Sequence, residues 1–133
     1  MSRANVELVR RCYEVWNSRD WSQVPDLIDP KAEFDLSRNV FNPDVYRGQA
    51  GLERLTRTVD DVWDDLVLAP TEFIDAGNHV VVRVTVRGRG RESGVDVHME
   101  LFSVWTLRDA KVVRMRGGYR DRAEALSAAA ASE

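Results

Sequence analysis

The sequence predicts an α+β fold in which helices pack on one face of a curved antiparallel sheet. Three observations lead there. Apolar residues recur with a helical period up to residue 66 and with a period of two beyond it. The later segments are joined by short turns, whereas a parallel pair needs a crossover of about a dozen residues. With 133 residues, 44% of them hydrophobic, the chain has the size and apolar content of one domain spanning 1–133. Helices first and strands after them is the segregated order of α+β folds.

The first helix carries Val6, Val9, Tyr13 and Trp16 as one stripe flanked by Leu8 and Cys12, with Asn5 as its candidate N-cap. Trp21, Val24, Leu27 and Ile28 form a second helical pattern; Pro25 sets its start near Ser22 and Pro30 ends it. Residues 32–36 form a strand candidate, and 37–48, with Asn39, Asn42, Pro43 and Gly48, read as a loop. Leu52, Leu55, Val59, Val62, Trp63 and Leu66 then make the stripe of a long amphipathic helix, opposite charges such as Glu53, Arg57, Asp60 and Asp64. Four strands follow at 67–75, 79–87, 95–107 and 112–120, broken at 76–78, 88–94 and 108–111. Asp121 and Glu124 have the spacing of a capping box and open a short Ala-rich helix that frays into Ser132 and Glu133.

Strand parity separates an inner from an outer row. On 95–107 the more apolar row is Val97, Met99, Leu101, Ser103, Trp105 and Leu107, placed inward, against His98, Glu100, Phe102, Val104 and Thr106. On 79–87, Val80, Val82, Val84 and Val86 point inward while Val81, Arg83, Thr85 and Arg87 point out. On the last strand the same rule puts Val113, Met115, Gly117 and Tyr119 inside and Val112, Arg114, Arg116 and Gly118 outside.

Composition removes several function classes. Lys and Arg number 19 and Asp and Glu 22, a net charge of −3, so no nucleic acid partner is expected. Apolar stretches fall short of the roughly 20 residues of a membrane span, no leader is visible, and the one cysteine, Cys12, cannot form an internal disulfide. The expectation is a cytoplasmic protein that does not enter a membrane, with Cys12 as a buried, inert thiol. His98 and Glu100 share a strand face, but His79 is the one further histidine and the spacing is not that of metal ligands. No metal and no cofactor are expected, and the pair reads as outer surface beside Arg83, Arg114 and Arg116. Ser103 lies outside any G-x-S-x-G motif and reads as a small residue that makes room. Arg87, Arg89 and Arg91 with Gly88, Gly90 and Gly94 read as a solvated hairpin tip.

Four segments carry a family resemblance: 8–20 (LVRRCYEVWNSRD), 46–52 (YRGQAGL), 104–113 (VWTLRDAKVV) and 119–126 (YRDRAEAL). With the element order, they resemble the SnoaL-like polyketide cyclases within the cone-shaped α+β superfamily of nuclear transport factor 2. The resemblance implies an α-α-β-α-β-β-β-β order with helices on the concave face of the sheet, as a single SnoaL-like domain. It implies function coarsely, because this scaffold hosts isomerases, hydrolases, cyclases, dehydratases, transport adaptors and non-catalytic subunits. One implied function is a cofactor-free cyclase or isomerase using acid/base chemistry on an apolar polyketide, steroid or terpenoid-like substrate. The other is a non-catalytic ligand-binding or protein-interaction module. Tyr13 matches the helix tyrosine that donates a hydrogen bond in the delta-isomerases of this fold; their base position falls on Leu36 and their second acidic position on Ser103. Asp35 adjoins the base position, and a one-residue register change would bring it inward. Ala110 stands where the turn before the last strand most often has glycine.

Tyr13 and Asp35 are therefore the candidate catalytic residues, as donor and base. Trp16, Leu36, Leu55, Trp63, Val82, Met99, Leu101, Ser103, Trp105, Met115 and Tyr119 are the candidate lining of a cavity of about 300 Å³ or more for a small apolar molecule. The outer row, with Val81, Phe102, Val104 and Val112 among Arg83, His98, Glu100, Arg114 and Arg116, is expected to lie bare in the monomer and to form a homodimer.

Overall fold

The change of period falls where the second long helix hands the chain to the sheet, at Val62–Trp63, in a computed structural model that describes residues 2–41 and 43–131. Asn42, Ser132 and Glu133 lie outside the described residues, and with them the fraying expected at the carboxyl end. Helix α1 (Ser2–Ser18) is followed by a short 3-10 turn at Trp21–Gln23, the single-turn helix α2 (Val24–Leu27) and strand β1 (Ile28–Asp35). Then come β2 (Val45–Arg47), α3 (Gly48–Val62), β3 (Trp63–Ala76), β4 (His79–Gly90), β5 (Asp96–Arg108), β6 (Lys111–Tyr119) and α4 (Arg122–Ala131).

The six strands form one sheet in the order β2-β1-β6-β5-β4-β3. The pairs from β3 to β6 are antiparallel, as their short turns require. β1, however, joins β6 in parallel. The turn-length argument does not reach this pair, because more than seventy residues separate the two strands and leave their mutual direction free. β2 adds a further antiparallel strand inside the stretch read as loop; three residues are too few to show a period.

α3 begins at Gly48 and stops at Val62, so Trp63 and Leu66 leave the helix stripe and enter β3. Trp63 is already extended (φ −122, ψ 142) and pairs with Gly90. The hairpin end meets it there: Arg91 N–H donates to Val62 O at 2.8 Å, and its guanidinium donates to Asp60 O at 2.7 Å and Trp63 O at 3.1 Å. Arg91, expected at a solvated tip, thus satisfies carbonyls that the end of a helix leaves unpaired. Asn5 lies inside α1 rather than before it, and its side chain donates to Gly77 O at 3.2 Å. Asn17 exchanges two bonds with the backbone of Leu68, so α1 is pinned along β3 at both ends.

Two cores result, one on each face. Val9, Cys12, Tyr13 and Val15 of α1 pack with Leu55 of α3 and with Val80, Val82, Val84, Trp105 and Leu107 of the inner rows. Full burial of a valine such as Val9, Val80 or Val82 contributes about 1.5 kcal/mol or more. On the other face α4 covers Val81, Phe102, Val104 and Tyr119 with Ala125 and Ala129. Parity left the outer row bare in the monomer; in the structure, small alanines let α4 approach part of it closely.

Parity also fails at both ends of β6, and bulges are the reason. Register shifts occur between Thr106 and Leu107 and between Phe102 and Val104 on β5. The first turns Val112 inward, into the core with Leu107. The second lies beside Gly117-Gly118, where Gly118 has φ +85 and a Cβ would sit 2.8 Å from Asn39 Oδ1. The extra residue turns Tyr119 outward, against Phe102 and under α4, with Arg38 stacked 4.5 Å from its ring.

Candidate functional site

The inner face does not close completely on the helices. Between them lies a cavity of about 190 Å³, smaller than expected. Its closed end is filled by aromatic rings in edge contact: Tyr13 with Trp105 at 5.4 Å, Tyr13 with Phe73 at 6.5 Å, and Phe34 with Trp105 at 6.3 Å. Toward the mouth, Phe41 meets Trp63 edge-on at 5.2 Å, and Val40 and Phe41 remain exposed.

Of the residues expected to line it, Tyr13, Trp16, Leu36, Leu55, Trp63, Met99, Leu101, Ser103, Trp105 and Met115 do so. Val82 is fully buried in the solid core beneath α1 and does not reach the cavity. Tyr119 is on the opposite face for the reason just given. Asp35 is brought to neither. Phe34 is buried, Leu36 lines the cavity, and the strand alternation between them sends Asp35 outward. There the Ser37 N–H and hydroxyl donate to its Oδ1 at 3.0 and 2.6 Å. Partial burial raises its affinity for a proton, but the Ser37 bonds and the charges of Arg38 and Arg114 outweigh it and hold the carboxyl below its ordinary value. The register change that would have made it a base does not occur: the irregularity in β1 falls earlier, between Ile28 and Glu33.

Several lining residues escaped the sequence reading. Trp21 and Leu27 come from the short helical pattern, whose facing direction no period sets in so few residues. Asn39, Val40 and Phe41 come from the loop, and Tyr46 from β2, segments with no pattern to read. Thr58 is contributed by α3 beside the expected stripe.

The polar centre of the wall is a three-membered node. Trp105 Nε1–H donates to Tyr13 Oη and to Ser103 Oγ, each at 3.1 Å, and the two hydroxyls bond each other at 2.9 Å. All three residues are buried. α1 presents Tyr13 from one side, while Ser103 and Trp105, two apart on β5, share its inner face. Burial drives the Tyr13 hydroxyl to titrate above its ordinary value, against smaller opposing effects of Ser103 and Trp105. The phenol therefore stays neutral, a donor rather than a base. Burial likewise pushes the Cys12 thiol up to about 12, with Arg11 opposing. Among the described lining residues there is no Asp, Glu, His, Lys or Arg.

The polar groups considered as an acid/base pair sit on the other side of the sheet. Glu100 accepts from Arg83 at 2.8 Å, which holds its carboxyl below the ordinary value, and His98 stands opposite Arg87 in the ladder. Among the described residues no group of three or more His, Cys, Asp or Glu side chains is placed to hold a metal ion, and no helix is long and apolar enough to cross a membrane.

This architecture is that of a helix-lined cavity protein on a bent α+β sheet, and the comparisons agree. The sequence profile of the SnoaL-like domain matches residues 9–115, so the chain belongs to the SnoaL-like family. An NTF2-like protein of Burkholderia xenovorans superposes with a TM-score of 0.79 at 21% identity, covering 97% of both chains. TerC, co-crystallized with polyporic acid, gives 0.75 at 25% identity over 94% of this chain and 96% of its own. IdmH of Streptomyces antibioticus, a candidate polyketide cyclase, gives 0.70 at 18% identity over 94% and 96%. A search of curated proteins finds no match.

Proposed function

We propose that the protein binds a small, uncharged, largely apolar molecule in this cavity and holds it through the Tyr13–Ser103–Trp105 node, without proton transfer by a side chain. The observation that carries this is the absence of any carboxylate, imidazole or cationic side chain from the described lining, combined with a phenol that burial keeps neutral. Acid/base cyclisation or isomerisation needs a group that takes a proton from the substrate, and the one candidate, Asp35, faces outward with its oxygen occupied by Ser37. Any reaction here is limited to what a donated hydrogen bond and an imposed shape can do. The relative TerC, which was co-crystallized with polyporic acid, supports small-molecule binding by this fold. The cytoplasmic location and a two-fold dimer belong to the same proposal. With Phe102, Val104 and Val81 beneath α4, the dimer is left the charged remainder of the outer face: Arg83, Glu100, Arg87, His98 and Arg114.

The test is direct. Naphthalene at increasing concentration is expected to raise Tm in proportion to the logarithm of free ligand, and Leu101→Trp, which fills the cavity, is expected to remove the rise. In D2O the protein is expected not to accelerate exchange of the α-hydrogens of 1-indanone followed by proton NMR. Accelerated exchange would establish a competent base and overturn the non-catalytic reading.

A further inference from the structure

The cavity of about 190 Å³ falls between two marks. A dry apolar cavity of about 150 Å³ holds benzene, and sites for drug-sized molecules begin near roughly 300 Å³. Which ligands fit then depends on whether the walls can spread, because a close-packed interior does not open without losing contacts.

Each wall is tied down. At the closed end the rings of Tyr13, Phe34, Phe73 and Trp105 interlock edge to face, and the Tyr13–Ser103–Trp105 node fastens α1 to β5. α1 is held along β3 by Asn5 and Asn17. α3 rests on β2 at Gly51, where a Cβ would lie 2.8 Å from the carbonyl carbon of Tyr46. Further along α3, Arg54 donates to Asp44 at 2.8 Å, and Asp60 pairs at 3.1 Å with Arg19, the residue that follows α1. A ligand that widens the cavity must break several of these at once.

Two lining side chains are softer. Met99 on β5 and Met115 on β6 are unbranched and repack at little cost. The open end adds no usable length, since beyond the Phe41–Trp63 contact a ligand meets water.

From the volume and the tied walls we infer that the cavity takes one ring or two fused rings and has no room for a third. The inference rests on the binding function proposed above and gives that ligand its size class. A third ring in line must either protrude past Phe41, where its apolar area stays wet, or force apart helices that are tied near both ends. Of the skeletons implied by the family resemblance, steroids and other fused systems of three or more rings are thereby removed. Met99 and Met115 are the residues that set the limit.

Equilibrium dialysis of radiolabelled benzene, naphthalene and anthracene, a linear series without polar atoms, decides it. For the wild-type protein naphthalene is expected to bind about tenfold more tightly than benzene, the worth of the added buried area. Anthracene is expected to bind no more tightly than naphthalene. Met115→Ala is expected to bind anthracene about tenfold more tightly than the wild type does, because the space it frees takes in the third ring. Should that variant fail to fold, Met99→Ala makes the same test from the neighbouring strand, and should neither fold, the wild-type series alone decides. Anthracene binding about tenfold more tightly than naphthalene to the wild type, or naphthalene no more tightly than benzene, overturns the inference and leaves small-molecule binding standing. No binding by any of the three overturns both. A folded variant that gains nothing for anthracene removes the limit from the methionines.

Discussion

Cys12 carries the effect of the cavity wall in measurable form. Its thiol is pushed from 9.0 up to about 12 by burial, so the folded chain keeps a proton that the unfolded chain releases. The sign follows: this contribution to stability is complete below about pH 9 and is lost as pH rises from there toward 12, by about 1.4 kcal/mol per pH unit. Tyr13, displaced in the same direction, adds to the loss at higher pH. Urea midpoints at pH 8 and pH 11 are expected to fall for the wild type and to fall less for Cys12→Ala. An equal fall in both would show that the thiol titrates as freely folded as unfolded. Arg116 is the opposite case, a charge buried at a loss. It is 6% exposed and donates to Ala128 O at 3.4 Å, and its Nε and Nη2 find no partner among the described residues. Burial lowers its affinity for its proton, and the nearby charges of Arg114 and Arg38 act in the same direction. Arg116→Met is expected to raise stability by about 1 kcal/mol, read as a higher denaturant midpoint at unchanged m-value. A lower midpoint would mean that its contact with α4 is worth more than its desolvation.

Turns and bulges decide more at the scale of elements than the strands between them. The β5–β6 turn places Asp109 at φ 54 and Ala110 at φ 61 between the paired Arg108 and Lys111. Two successive positive φ values in a two-residue hairpin are the type I′ arrangement, which favours glycine at the second position. Ala110→Gly is therefore expected to stabilise by about 1 kcal/mol. Differential scanning calorimetry that finds Tm unchanged or lowered would remove strain at this turn. The inner rows of β4 and β5 were legible because they are the more apolar, as Met99, Leu101 and Trp105 against His98 and Glu100 show. Bulges leave almost no such trace. One extra residue beside Gly117-Gly118 reversed Tyr119, and only the paired glycines hinted at it. The side taken by α4 was equally hidden, since an alanine-rich helix has no apolar stripe to orient it. The node was unreadable for a different reason: it unites positions 13, 103 and 105 through an angle between a helix and a strand that no local pattern encodes.

For the whole molecule, the question left by α4 is association. The proposed dimer must use a face whose apolar anchors are covered and whose charges partly pair within the chain, as Arg83 does with Glu100. Such a contact is expected to be salt-sensitive. Sedimentation equilibrium at micromolar protein is expected to give twice the 15.1 kDa chain mass in 0.05 M salt, falling toward one chain in 1 M. A single-chain mass at both salts would refute the dimer. The parallel seam between β1 and β6 bears instead on the order of assembly. The hairpins β3–β4, β4–β5 and β5–β6 close short loops, whereas Phe34 must find Met115 across some eighty residues of chain. Loop-closure entropy makes that encounter the late one. α1, α2, β1 and α3 would then settle onto a sheet already formed, and the cavity, with a wall from each half, would come into being only at that last step. A bound molecule would slow the parting of the two halves, and amide hydrogen exchange along β1 would be where its presence is first recorded.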